Sequence, residues 1–166
     1  MEGFTNSFWY NKLVSNYKKV QPKERFVGLG EKTGHLDRSG RAFTNWNTDY
    51  FAYGIGDDPL YMSIPFYIGI HSGLSYGIFF DNTHKSIFNF GASNNRFIYY
   101  SADDGDMDYY FFHNDSVAKI ISSYTELTGK MEMPPLWSLG FQQCRYSYYP
   151  DSEVLTLAKT FRDKDM

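Results

Sequence analysis

The sequence predicts a mainly β protein: an antiparallel sandwich, then a linking helix, then the first β/α unit of a (β/α)8 barrel that goes no further. Three observations carry this. Short apolar runs recur about every ten residues between Gly, Asn and Asp turns, from about residue 24 to 112. The period then switches to helical, with Val117, Ile120, Ile121, Tyr124 and Leu127 at i, i+3, i+4, i+7 and i+10. Last, the run Met133-Pro-Pro-Leu-Trp-Ser-Leu-Gly-Phe141 reads as a buried strand after a proline boundary, decorated at its end by Arg145, Tyr146, Tyr148 and Tyr149 and followed at once by a helix. Active sites of such barrels lie at the C-terminal ends of their strands.

In chain order, residues 1–23 carry Phe4, Phe8, Trp9, Tyr10, Leu13 and Val14 with no clear period and read as strand. Glu24 to Leu29 is a strand running into Gly28-Leu-Gly-Glu-Lys-Thr-Gly34. That run is G-x-G-x-x-x-G with no helical pattern behind it, so it is turn chemistry and not a nucleotide cradle. Phe43 to Tyr53 is aromatic and interspersed with Asn45, Asn47 and Asp49, and residues 54–59 are loop. Ile64–His71 and Leu74–Phe80 form a hairpin across Ser72-Gly73. Ser86–Phe90, Arg96–Ser101 and Met107–Phe112 follow as strands. Asp115 or Ser116 is placed to cap the linking helix, and Gly129 to end it. A second helix puts Val154, Leu157, Ala158 and Phe161 on one stripe, with Asp151 or Ser152 as cap. The boundaries that result are 1–113 for the sandwich, 114–133 for the linking helix and connector, and 134–166 for the barrel unit.

Composition excludes several functions. At 166 residues and 42% hydrophobic content the chain can bury a real core. Its net charge is −3 and it has no Lys/Arg cluster, which leaves nucleic acid without an electrostatic partner. No stretch approaches the roughly 18 apolar residues of a membrane helix, and no secretory leader is visible. The aromatic fraction of 20%, with 15 Tyr and 15 Phe, suits strands and also sugar-stacking surfaces. The single cysteine, Cys144, excludes an internal disulfide and reads as a buried structural thiol. His35, His71, His84 and His113 have no metal-ligand spacing. Asp103, Asp104, Asp106 and Asp108 read as a solvated turn.

Six segments in order resemble glycoside hydrolase family 31, the α-glucosidase and α-xylosidase family. They are Phe26-Val-Gly-Leu-Gly-Glu-Lys-Thr-Gly34, Asn45-Trp-Asn-Thr-Asp49, Leu60-Tyr-Met-Ser-Ile-Pro-Phe66, Tyr76-Gly-Ile-Phe-Phe-Asp-Asn82, Tyr124-Thr-Glu-Leu-Thr-Gly129 and Pro134-Pro-Leu-Trp-Ser-Leu-Gly-Phe-Gln-Gln-Cys-Arg-Tyr146. The resemblance implies a galactose-mutarotase-like sandwich leading into the catalytic barrel of a retaining α-glycosidase, acting on an oligosaccharide or α-glucoside without a cofactor. Retaining hydrolysis uses two carboxylates roughly 5–5.5 Å apart. The family's two aspartates sit on later barrel strands, so this sequence is expected to hold no catalytic residue and to need the remainder of the barrel as its partner. By the same resemblance Asp49 is a substrate-binding carboxylate on a loop reaching the barrel mouth, and Tyr146 is a substrate-binding aromatic at the end of the first barrel strand. Arg145 is expected to pair with a buried carboxylate elsewhere in the barrel, and Trp46 and Trp137 to be core. Two other readings stand beside this one: a non-catalytic carbohydrate-binding sandwich, and an aldose epimerase built on a converging His and Glu.

Overall fold

The structure, a computed structural model, describes the backbone of residues 5–10 and 12–166 and the side chains from residue 12 onward. Of the early apolar positions, Phe4 lies outside the described residues, as do the side chains of Phe8, Trp9 and Tyr10. The chain divides into two compact units, residues 1–130 and 131–166.

The first unit is a two-sheet antiparallel sandwich. Its strands are β1 (Thr5–Tyr10), β2 (Leu13–Lys19), β3 (Arg25–Gly30), β4 (Ala42–Asn45), β5 (Ser63–His71), β6 (Leu74–Phe80), β7 (Ser86–Asn89), β8 (Phe97–Ala102) and β9 (Tyr109–Asn114). One sheet has the order β1-β2-β8-β7-β4 and the other β3-β5-β6-β9. The hairpin expected across Ser72-Gly73 is present, pairing His71 with Leu74. Period-2 alternation points Phe26, Tyr67, Ile78, Phe80, Phe88, Ile98 and Tyr100 inward, where they form the core. Tyr67 is its hub, with edge-on ring contacts to Phe26, Tyr76, Phe88, Phe90 and Tyr100. Much of the aromatic content is thus spent on interior packing.

The glycine-rich run is backbone chemistry, as expected. The pairing of β3 with β5 shifts register between Gly28 and Gly30. A Cβ at Gly28 would stand 2.5 Å from the Phe66 carbonyl oxygen, at a φ of +125°, so only glycine lets the bulge close against β5. The bulge re-aims Leu29, which is fully buried.

Helix α1 (Val117–Thr128) is capped by the Ser116 hydroxyl, which accepts from the Lys119 amide, and ends at Gly129. Its Ile120 is buried, and Val117 and Tyr124 pack with it on the outer face of the β5–β6–β9 sheet. The Tyr124 ring stacks on Phe66 at 4.1 Å. Ile121 and Leu127, the other members of the apolar stripe, remain exposed.

The second unit departs from expectation in its first half. Leu136–Phe141 is not a strand: Leu136–Leu139 forms a short 3-10 helix. A strand is completed by ladder partners, and among the described residues this unit contains no other extended segment to supply them. Trp137 is therefore 80% exposed instead of core, and Cys144 is exposed instead of a buried thiol. Helix α2 (Asp151–Asp163) forms where expected, but its N-cap is Pro150 without a side-chain cap. Asp151 and Glu153 still place negative charge at the positive end of its dipole. Its stripe is partly open, with Phe161 touching Phe141 at a ring separation of 5.8 Å.

Candidate functional site

The segment between β4 and β5, residues 46–62, is a projecting loop with a stapled neck. Asp58 is the main fastener. One oxygen accepts from the Lys32 ammonium at 2.7 Å and the other from the Thr44 amide, while Lys32 also donates to the Thr44 carbonyl. The Lys32 side chain is wholly enclosed. Burial pushes its pKa down, and the Asp58 charge opposes that. Around this pair the Thr48 amide donates to the Leu60 carbonyl at 2.9 Å, and Asn47 accepts from the Ser63 amide at 2.8 Å. Leu60 is buried and plugs the neck. A second cross-link joins the loop to the β3–β4 connection, where the Thr33 hydroxyl accepts from the Gly56 amide at 2.9 Å.

What the neck holds out is aromatic and acidic. Phe51 and Ile55 are almost fully exposed, and Tyr50, Tyr53 and Tyr61 are about half so. Asp49 is exposed. No backbone amide among the described residues donates to its carboxylate, so it does not serve as a local turn residue. It faces the Tyr61 phenol instead. Desolvation and the Asp49 charge raise that phenol's pKa, and Tyr61 in turn rests edge-on against Tyr53 at 6.2 Å.

At the loop's base lies an open groove of about 500 Å³, lined by Asn45, Trp46, Asn47, Ser63, Asp81 and His84 among others. Trp46 is half exposed here, not core as expected. The amide nitrogen and oxygen of Asn45 and the hydroxyl of Ser63 are buried without a hydrogen-bond partner among the described residues. The sequence carried a trace of this: Asn45 alternates into the sheet on β4, where an apolar residue would ordinarily stand.

Tyr146 is on the second unit and fully exposed. Arg145 meets Glu153 at 3.5 Å on the surface and lies over the Tyr148 ring, so its carboxylate is a local one and exposed. The acidic run at 103–108 is a turn, fastened by the Asn82 amide to the Asp104 and Asp106 carbonyls. His113 is tied to the Ser75 carbonyl at 3.1 Å. Glu24, the buried carboxylate of the sandwich, is occupied by Lys18, Tyr76 and the Gln21 amide. A His–Glu pair for epimerase chemistry is not assembled from these groups. Among the described residues, no cluster of three His, Cys, Asp or Glu could hold a metal.

A two-sheet antiparallel sandwich with an acidic aromatic loop and a helix on its outer face has the architecture of a galactose-mutarotase-like domain. Residues 2–89 match the glycosyl hydrolase 31 N-terminal galactose mutarotase-like domain, and residues 131–166 match the family 31 TIM-barrel domain. The chain belongs to glycoside hydrolase family 31. It is 42% identical over 161 residues to α-glucosidase 2 of Bacillus thermoamyloliquefaciens, covering 96% of this chain and 20% of that protein. It is 36% identical to an α-glucosidase of Saccharolobus solfataricus, covering 89% and 21%. Among solved structures it superposes on a family 31 dextranase of Flavobacterium johnsoniae in complex with glucose, with a TM-score of 0.88, 42% identity, and coverage of 96% of this chain and 19% of that one. The chain thus spans about a fifth of the length of these relatives.

Proposed function

We propose that the chain is the amino-terminal part of an α-glycosidase, an α-glucosidase in the first instance, that hydrolyses terminal α-glycosidic bonds with retention. In this reading residues 1–113 are the accessory sandwich, 114–133 the linker and 134–166 the opening of the barrel. The observation that carries it is the pair of family 31 matches in sequence order, with relatives that are α-glucosidases over nearly the whole chain. The substrate is an oligosaccharide or α-glucoside, in keeping with the dextranase complexes with glucose and isomaltotriose. No cofactor is called for, because this chemistry runs on carboxylates.

Asp49 is the substrate-binding residue of the sandwich. Its exposure, its freedom from backbone bonds and its rigidly stapled loop suit a carboxylate that accepts hydrogen bonds from sugar hydroxyls. Tyr146 supplies an aromatic boundary to the sugar site by ring contact. The unpartnered Asn45 and Ser63 support a role for the groove in seating further parts of the parent.

The test is steady-state hydrolysis of an aryl α-glucoside by the full-length parent, with the product anomer followed by NMR. Asp49→Ala should raise the barrier in kcat/KM by about 1.5–3 kcal/mol and shift the melting temperature little. An inactive parent, or inversion of the anomer, would overturn the reading. A large stability loss with normal kinetics would make Asp49 a structural residue.

A further inference from the structure

The glycine-rich run Gly28–Gly34 carries three consecutive residues near its end, Glu31, Lys32 and Thr33, and each of them reaches the loop that bears Asp49. The Glu31 amide donates to the Met62 carbonyl at 3.0 Å, and its carboxylate accepts from the Tyr53 hydroxyl at 3.4 Å. Lys32 donates to Asp58 at 2.7 Å. The Thr33 hydroxyl accepts from the Gly56 amide at 2.9 Å and donates to the Asp57 carbonyl at 3.5 Å. Three neighbours in sequence thus hold the loop at Tyr53, Gly56, Asp57, Asp58 and Met62, along its returning half.

This brace is itself fixed from two sides. β4 is the last strand of its sheet, so among the described residues Thr44 has no strand beyond it to pair with. The Asp58 carboxylate accepts from the Thr44 amide and the Lys32 ammonium donates to the Thr44 carbonyl, so the ion pair stands where a further strand would. On the other side the buried Arg38 guanidinium donates to the Thr33 carbonyl at 3.2 Å and to the His35 carbonyl at 2.8 Å. Arg41 also donates to the Thr33 carbonyl, at 3.3 Å. Asp49 is exposed and receives no backbone amide among the described residues, so it takes its position from the loop as a whole. A binding group on a loop keeps its geometry only if the residues around the loop are themselves held.

We propose that Glu31, Lys32 and Thr33, together with Asp58, are positioning residues of the parent enzyme: they hold the Asp49 carboxylate at the place and angle that a sugar hydroxyl requires. The inference rests on the reading of Asp49 as a substrate-binding residue. Each of the four acts through the loop and not by touching the sugar. Displacing a binding group by about 1 Å can lower a rate by about 100-fold, so a brace remote from the bond being cleaved still governs turnover.

The experiment joins kinetics on the full-length parent with hydrogen exchange on the 166-residue chain. Lys32→Met combined with Asp58→Asn removes the ion pair without stranding a charge, and Thr33→Val removes one hydroxyl at nearly constant shape. The paired variant should lower kcat/KM for an aryl α-glucoside by roughly 10- to 100-fold, and Thr33→Val by about fivefold, the net contribution of one hydrogen bond. Thr33→Ser keeps the hydroxyl and should keep the rate. In an Asp49→Ala background neither change should lower kcat/KM further, because the group they position is gone. Exchange at the Thr48 and Gly56 amides should quicken in both variants while β5, β6 and β8 stay protected. Should the paired variant lose protection on those strands, Thr33→Val and Thr33→Ser decide alone. An undiminished rate, an equal loss in both backgrounds, or unchanged exchange around the loop would overturn the proposal and leave Asp49 in its role. An Asp49→Ala parent with unchanged kcat/KM would instead overturn the reading of Asp49, and the proposal with it.

Discussion

Asp58 and Lys32 show how one enclosed pair governs a whole loop. The Lys32 ammonium is sealed from solvent and its charge is answered by Asp58. Removing only the acid strands a buried cation, whereas removing both partners does not. Asp58→Ala should therefore cost about 3–5 kcal/mol in denaturant unfolding, and Lys32→Met in the same chain should restore a good part of it. Unchanged stability in the single variant would mean that Lys32 swings out to water. Asp37 gives a pH signature. Burial acts to raise its pKa, but hydrogen bonds from the Ser39 hydroxyl and amide and the Phe26 amide, with Arg25 nearby, hold it below the usual carboxylate range. A depressed carboxylate stabilises the fold above its unfolded pKa, about 3.9, and that contribution is lost as pH falls through the folded value. Wild type should accordingly exceed Asp37→Asn in melting temperature at neutral pH, with the gap closing on acidification below about pH 4. A gap independent of pH would assign the effect to geometry alone.

At the scale of elements, α1 is held to the sandwich by a close approach as much as by apolar area. A Cβ on Gly77 would stand 2.8 Å from Ile120 Cγ2 and 2.9 Å from the Phe66 ring. Ile120→Ala should cost about 2–5 kcal/mol as a core truncation, and Gly77→Ala about 1–3 kcal/mol as overpacking. Since the first vacates the space that the second fills, the double variant should lose less than the sum. Strict additivity in a double-mutant cycle would show that the helix had shifted instead. The contrasting element is Leu136–Leu139, whose apolar side chains lie open in a 3-10 helix.

For the whole molecule the two units should behave differently. No residue between 131 and 166 is buried, while the sandwich has a continuous aromatic core. Native-state hydrogen exchange should find slow amides on β5, β6 and β8 and fast ones throughout 136–163. Equal protection of the second unit in a monomer would contradict this. The same partition bears on activity. Retaining cleavage requires two carboxylates roughly 5–5.5 Å apart around the bond, and Asp49 and the 103–108 turn offer solvated acids, not such a pair. The 166-residue chain should show no turnover of an aryl α-glucoside above buffer. Turnover that co-purifies with it and disappears on mutating one of its own residues would refute this.

The strands β3 and β5 to β9, the Ser72-Gly73 hairpin and α1 were legible because period-2 and period-3.6 patterns and turn residues are local, and the family followed from six ordered segments; β4 was not, because its four residues are too few to show a period. Asp49 was legible as a loop carboxylate for the same reason. Tertiary structure alone decided which apolar residues find a partner. Trp46, Trp137 and Cys144 carry the composition of a core, yet all three are exposed, because burial depends on what packs against a residue and not on its own hydrophobicity. The strand expected at Leu136–Phe141 has the right residues but no neighbouring strand to pair with. Conversely, nothing local announced that Asn45 would be buried unpaired, or that Tyr67 would become the hub of an aromatic core drawn from both sheets. Those features arise only when the two sheets are laid face to face.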